Sequence, residues 1–116
     1  MSAFTDPVSD LSPERVSELV SRGEVHLIDV REPYEHEAGH IAQARHIPLE
    51  RLASEAETLP RDRPIVFQCR LGARSAMATQ AFRAAGYDAY NMQGGLSAWA
   101  ERGLPLSPAG GYVADH

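Results

Sequence analysis

Apolar positions along this chain fall into two kinds of pattern, short unbroken runs and stripes at helical spacing. Ile65-Val66-Phe67 is unbroken, as expected of a buried strand, Val25 to Val30 (VHLIDV) reads as another that carries two polar residues, and Asp88 to Met92 predicts a third. Helical spacing begins after Ser12-Pro13-Glu14, where a capping hydroxyl and a proline at the first helical position precede Val16, Leu19 and Val20, and ends at Gly23. Pro33 to Ala38 predicts a brief helix closed by Gly39 as a left-handed cap, and Leu49 to Leu59 a helix stopped by Pro60. Ser75 to Ala85 places Met77, Ala78, Ala81, Phe82 and Ala85 at helical intervals before Gly86. Gly95 to Arg102 predicts a last helix with Trp99 facing inward. Residues 105–116 are polar, rich in glycine and without periodicity, which predicts a largely irregular tail. Strands alternating with helices imply an α/β domain whose parallel sheet is covered on both faces, and such sheets carry their sites beyond the carboxyl ends of the strands. Asp29 and Cys69 fall at such ends.

Composition narrows the function classes. With 116 residues, 43% hydrophobic and 23% charged, residues 1–116 are expected to form one globular domain. No apolar run approaches the ~18 residues a membrane helix needs. The opening MSAFTDPVSD has neither a basic nor an apolar leader segment, so the cytoplasm is the expected compartment. A net charge of −5 with scattered arginines argues against a nucleic-acid partner. All eleven basic residues are arginine, which excludes Schiff-base chemistry, and a single cysteine excludes an internal disulfide.

The stretch HEAGHIAQARH sets His36, Glu37, His40 and His46 at the offsets of a zinc hydrolase. Two histidines four apart share a ligand only along continuous helix, and Gly39 interrupts it, so His40 is expected to lie beyond the helix and away from His36. Gln43 also stands where that motif needs a turning glycine. A metal is therefore not expected. Glu35, His36 and Glu37 are read as solvated, and His40 as hydrogen-bonded locally.

Cys69 is different. It lies where a strand ends and a helix begins a few residues later, and Gly72 lets the backbone curl so that successive N–H groups form an anion-binding nest. Arg70 and Arg74 flank the loop. Backbone dipoles, helix N-terminus and guanidinium charge together lower a thiol from about 8.5 into the range of about 3.5–7.5, making Cys69 a candidate nucleophile without a histidine partner.

Three ordered motifs now resemble those of the rhodanese family of sulfurtransferases: LIDVREPYEHEAGHI with Ala44, Ile47 and Pro48 following, the loop CRLGARS, and NMQGGLSAWAERGLPL. Ala42 and Gln43 replace a common Pro-Gly there, and His46 a common asparagine. The resemblance implies a three-layer α/β/α domain with a central, mainly parallel sheet of about five strands. It further implies that Cys69 takes a sulfane sulfur from thiosulfate or a related anionic donor, carries it as a persulfide, and passes it to cyanide, a thiol or a protein acceptor, a cycle that needs no metal, no cofactor and no resolving cysteine. Arg70, Leu71, Gly72, Ala73, Arg74 and Ser75 would bind substrate, the amides from Arg70 to Arg74 would hold the persulfide charge, and Asp29 and Arg31 would support the loop from nearby. A persulfide carrier serving a protein partner is one alternative. A phosphatase or arsenate reductase of related fold is another, but those loops hold five residues between cysteine and arginine and this one holds four. A tetrahedral oxyanion needs the wider ring.

Overall fold

The computed structural model describes residues 9–116; the first eight residues of the stretch read for a leader lie outside the described residues. Ser12 caps α1 (Pro13–Ser21), its hydroxyl accepting the Arg15 amide at 3.1 Å. The chain then alternates: β2 (His26–Asp29), α2 (Pro33–Ala38), α3 (Leu49–Glu55), β4 (Ile65–Gln68), α4 (Ala73–Ala84), β5 (Ala89–Met92) and α5 (Gly95–Glu101). Two edge strands of two residues each, β1 (Asp10–Leu11) and β3 (Arg45–His46), complete a five-stranded sheet in the order β1-β5-β4-β2-β3. Every pairing is parallel.

Because β4 and β5 are buried along their whole length, each of their faces must meet an apolar layer. On one face Phe67, Ile65 and Ile28 pack with Leu52 of α3 and with Ala78 and Phe82 of α4. On the other, Val66, Tyr90 and Leu27 pack with Val16 and Leu19 of α1 and with Leu96 and Trp99 of α5. The result is the expected three-layer α/β/α domain, with Trp99 2% exposed and its indole N–H donating to the Pro105 carbonyl. Among the described residues no helix is long and apolar enough to cross a membrane.

Three local differences from the sequence pattern have physical causes. The predicted helix from Leu49 to Leu59 ends at Glu55 and tightens into a 3-10 turn over Ala56–Thr58. Pro60 disfavours helical backbone at the residue before it, and Leu59 is extended (φ −84°, ψ 120°). Helix α4 starts two residues before Ser75, because Gly72 at φ 109° turns the chain and its carbonyl takes the Ala76 amide. Gly39 is not a left-handed cap: its φ of 176° is ordinary extended backbone. Glycine is needed there for another reason, since a Cβ would lie 2.4 Å from the Tyr112 carbonyl oxygen of the tail.

Gln68, the last residue of β4, is fully buried, and neither its amide nitrogen nor its oxygen has a hydrogen-bond partner among the described residues. A buried polar group left unpaired costs about 1–3 kcal/mol. Replacing it by an apolar side chain of similar length removes that cost, so Gln68→Met is expected to raise stability by about 1 kcal/mol. A higher urea midpoint at unchanged slope is the readout.

Candidate active site

At the carboxyl end of the central strand β4 the chain enters Cys69-Arg70-Leu71-Gly72, and α4 follows at once. The Gly72 amide donates to the Cys69 sulfur at 3.1 Å. Among the described residues the amides of Arg70, Leu71, Ala73 and Arg74 have no hydrogen-bond acceptor, as expected of a nest joined to a helix N-terminus. The Ser75 hydroxyl lies 3.4 Å from the sulfur and 2.5 Å from Asn91 Oδ1. That hydroxyl has one proton, and the Asn91 amide is oriented by donating to Asp10, so its oxygen faces Ser75 and competes with the sulfur for the proton. Cys69 itself is only 1% exposed, yet it lines a pocket of about 210 Å³ together with Arg70, Leu71, Ala73, Arg74 and His116. The sulfur is thus a floor atom, reachable by a small anion or by the tip of a larger acceptor.

The loop is held from below by α5. Leu96 and Ser97 donate their amides to the carbonyls of Cys69 and Arg70 at 2.8 and 3.0 Å. A Cβ at Gly95 would come within 2.5 Å of both carbonyl oxygens, so only glycine permits this approach. With these carbonyls taken by α5, the unpaired amides lie in the same residues that line the pocket.

Asp29 and Arg31, expected to act nearby, form a fully buried pair at the end of β2: the guanidinium donates through Nε and Nη2 to both carboxylate oxygens, at 2.7–3.1 Å. Arg31 also donates to the Glu35 and Gly39 carbonyls, which clamps both ends of α2. Neither side chain lines the pocket.

Glu35 is not the solvated residue its sequence neighbours suggest. It is fully buried, its side chain accepts the Glu32 amide in a capping box, and its two oxygens take Arg74 Nη1 and Nη2 at 2.8 and 3.0 Å. Burial pushes its carboxyl up, but the Arg74 guanidinium and the Glu32 amide outweigh that and hold it below the usual value. Arg74 is therefore a paired cation that anchors the first turn of α4, while Arg70 reaches Asp115 of the tail at 3.3 Å.

The histidines also depart from expectation. His36 and His40 stack face to face with centroids 3.9 Å apart, and His46 stacks on His36 at 4.3 Å. The extended backbone at Gly39 allows it, and His40 Nδ1 is held by the His36 carbonyl as a local hydrogen bond. Parallel rings do not converge on one point, and among the described residues no cluster of three or more His, Cys, Asp or Glu side chains is arranged to hold a metal ion.

Of the residues singled out in sequence, the loop from Cys69 to Ser75 comes together around the sulfur, and Asp29 and Arg31 stand behind it. Glu35, Asn91 and His116 were missed. Glu35 offered one signal, the Glu32–Glu35 spacing of a capping box before Pro33; Asn91 and His116 depend on tertiary contacts alone.

A family model described as the Rhodanese-like domain matches residues 12–102. A protein named sulfurtransferase from Allochromatium vinosum is 36% identical over 101 residues, covering 85% of this chain and 94% of its own. The thiosulfate sulfurtransferase GlpE of Pseudomonas aeruginosa is 31% identical, covering 83% and 87%. The probable adenylyltransferase/sulfurtransferase MoeZ of Mycobacterium tuberculosis is 39% identical over 84% of this chain but only 26% of its own length. Among solved structures, a rhodanese-related protein from Thermoplasma volcanium superposes with a TM-score of 0.78 at 30% identity, covering 84% of this chain and 95% of that one.

Acid titration should resolve two groups at this end of the sheet. Burial, together with His40 and His46, pushes His36 down to about 4, so between pH 6.5 and about 4 the unfolded chain binds a proton that the folded chain refuses. Stability is expected to fall as pH drops through that window, and His36→Gln to flatten the fall. Glu35 has the opposite chemistry and the same sign: its folded carboxyl stays ionised below 4.5, where the unfolded one protonates, so its contribution is lost as pH falls below 4.5. At pH 7 Glu35→Gln leaves Arg74 without its partner, and a loss of about 2–3 kcal/mol is expected. Urea midpoints measured across pH 3–8 for both variants check these outcomes.

Proposed function

The chain belongs to the rhodanese-like domain family, and we propose that it is a sulfurtransferase whose covalent carrier is Cys69. The observation that supports this reading best is the Cys69 sulfur accepting the Gly72 amide inside a loop whose other amides are unpaired. Such a ring favours a negatively charged sulfur. In the first half-reaction the Cys69 thiolate attacks the outer sulfur of thiosulfate; the S–S bond of the donor breaks, sulfite leaves with the bonding pair, and Cys69 holds a persulfide anion. In the second, a thiol or cyanide attacks the terminal sulfur and the thiolate is regenerated. Charge and electrons balance in both steps, so neither a metal nor a second cysteine is required.

The remaining loop residues take roles from their positions. Leu71 and Ala73 shape the pocket wall, Gly72 gives the backbone its turn, and Arg70 supplies charge at the mouth that draws in an anionic donor. Arg74, paired with Glu35, holds the start of α4 so that the amides stay aimed, and Ser75 orients beside the sulfur. Asp29 and Arg31 act as supports behind α2. We assign the reaction to the cytoplasm, where a lone thiol is kept reduced. A protein acceptor is the second reading, favoured by Leu71 and Met77, which are 60% and 64% exposed on the loop and on the first turns of α4.

Mass spectrometry of the intact protein after thiosulfate treatment should show a mass increase of one sulfur, absent in Cys69→Ser. Sulfur loading that persists in that variant would overturn the assignment. Turnover of p-nitrophenyl phosphate without sulfur loading would replace it with the phosphatase reading.

A further inference from the structure

The tail that sequence alone leaves featureless is fastened beside the active-site loop at several points. Ser107 exchanges both backbone hydrogen bonds with His40, at 2.7 and 2.9 Å. Tyr112 donates its amide to the Ala38 carbonyl over the bare backbone of Gly39, and Val113 packs on the core beside α1 and α5. Asp115 then reaches Arg70, and His116 ends at the pocket mouth with Nδ1 3.3 Å from Glu35 Oε1. Among the described residues His116 is the one pocket-lining residue that does not belong to the loop or the first turn of α4.

A neutral thiol cannot attack a persulfide; it must first lose its proton, because the thiolate is the nucleophile and a free thiol near 8.5 is mostly protonated at neutral pH. The loop side of the pocket has only the cations Arg70 and Arg74 to offer. Glu35 is a carboxylate already engaged twice by Arg74 and once by the Glu32 amide, and Asp115 points to Arg70 outside the lining. The His116 ring, its Nδ1 turned to Glu35, keeps Nε2 without a protein partner among the described residues, and the side chain is 48% exposed, open to an incoming molecule.

We propose that His116 is the proton acceptor for thiol substrates in the discharge step, making this chain selective for thiols over acceptors that carry no proton. The inference rests on the Cys69 persulfide proposed above. The acceptor R–SH gives its proton to His116 Nε2; the thiolate attacks the terminal sulfur of Cys69–S–S⁻; the S–S bond breaks, R–S–S⁻ leaves, and the Cys69 thiolate remains. The proton on His116, steadied by Glu35, then returns to solvent or to the departing persulfide.

The test loads Cys69 with thiosulfate, removes excess donor, and follows discharge by mass spectrometry with dithiothreitol or with sulfite at pH 7, in the natural chain and in His116→Gln. At that pH only a few per cent of a free thiol is ionised, so the ratio of thiol to sulfite discharge rates is expected to fall by about tenfold in the variant. Between pH 8.5 and 7 the variant's thiol rate should follow the thiol's own ionisation, while the natural chain's should fall less steeply. A ratio that stays within about threefold, or equal slowing with both acceptors, would overturn the role of His116. Absence of loading in the natural chain would instead remove the persulfide itself, and with it this step.

Discussion

The guanidinium of Arg31 is the interaction on which the site depends. It is fully buried, forked onto Asp29 at the end of β2, and extended to the carbonyls of Glu35 and Gly39 at α2. Burying a charge is expensive unless every donor finds an acceptor, and such a pair adds little net stability over apolar packing. What it supplies is position. Once Arg31 has fixed α2 against the sheet, Glu35 is carried to a place where Arg74 engages both of its oxygens, and the first turn of α4 is pinned relative to α2 across 39 residues of sequence. Breaking the Asp29–Arg31 pair leaves a charge in the interior without its counter-ion, and breaking the Glu35–Arg74 pair removes the main partner of a buried carboxylate.

A second constraint works on the backbone instead of on charge. The loop after β4 must turn its carbonyls one way and its amides the other, and the carbonyls of Cys69 and Arg70 are captured by the first amides of α5. That capture requires the two backbones to approach more closely than any side chain allows, hence Gly95, with Gly94 at φ 76° setting the entry to the helix. The amides freed on the other side need acceptors, and the only one the described protein provides is the Cys69 sulfur. An anionic sulfur or persulfide is therefore the group that completes the hydrogen bonding of the loop.

Much of this was legible in the residues, and what was not has a common cause. Capping at Ser12, the strands around Val25–Val30 and Ile65–Phe67, and the turn at Gly72 after Cys69 are local signals of propensity and turn chemistry that the structure keeps, although α4 begins at Ala73 and not at Ser75. Edge strands of two residues, Asp10–Leu11 and Arg45–His46, have no period to detect; they exist because neighbouring strands offer them partners. Glu35 was misread because its neighbours His36 and Glu37 are polar, while its burial is decided by Arg74, far along the chain. Gly39 was assigned to the helix end nearest it, when the backbone it accommodates belongs to Tyr112. The stacking of His36, His40 and His46 likewise follows from extended backbone at Gly39 and from β3 returning beside β2, neither of which local spacing reveals.

The tail brings these elements together. An irregular segment normally stays on the surface at the cost of ordering its backbone, and it remains in one place only where specific contacts offset that entropy. Here the contacts are laid out in sequence order along one line: His40 with Ser107, Ala38 with Tyr112, Arg70 with Asp115, and Glu35 with His116. Each partner on the domain side lies on α2, just after it, or on the active-site loop, the same pieces that Arg31 and Glu35 hold rigid. The scaffold that aims the loop amides therefore also fixes the path of the tail, and the position of the imidazole at the pocket mouth is set by the ion pairs behind α2.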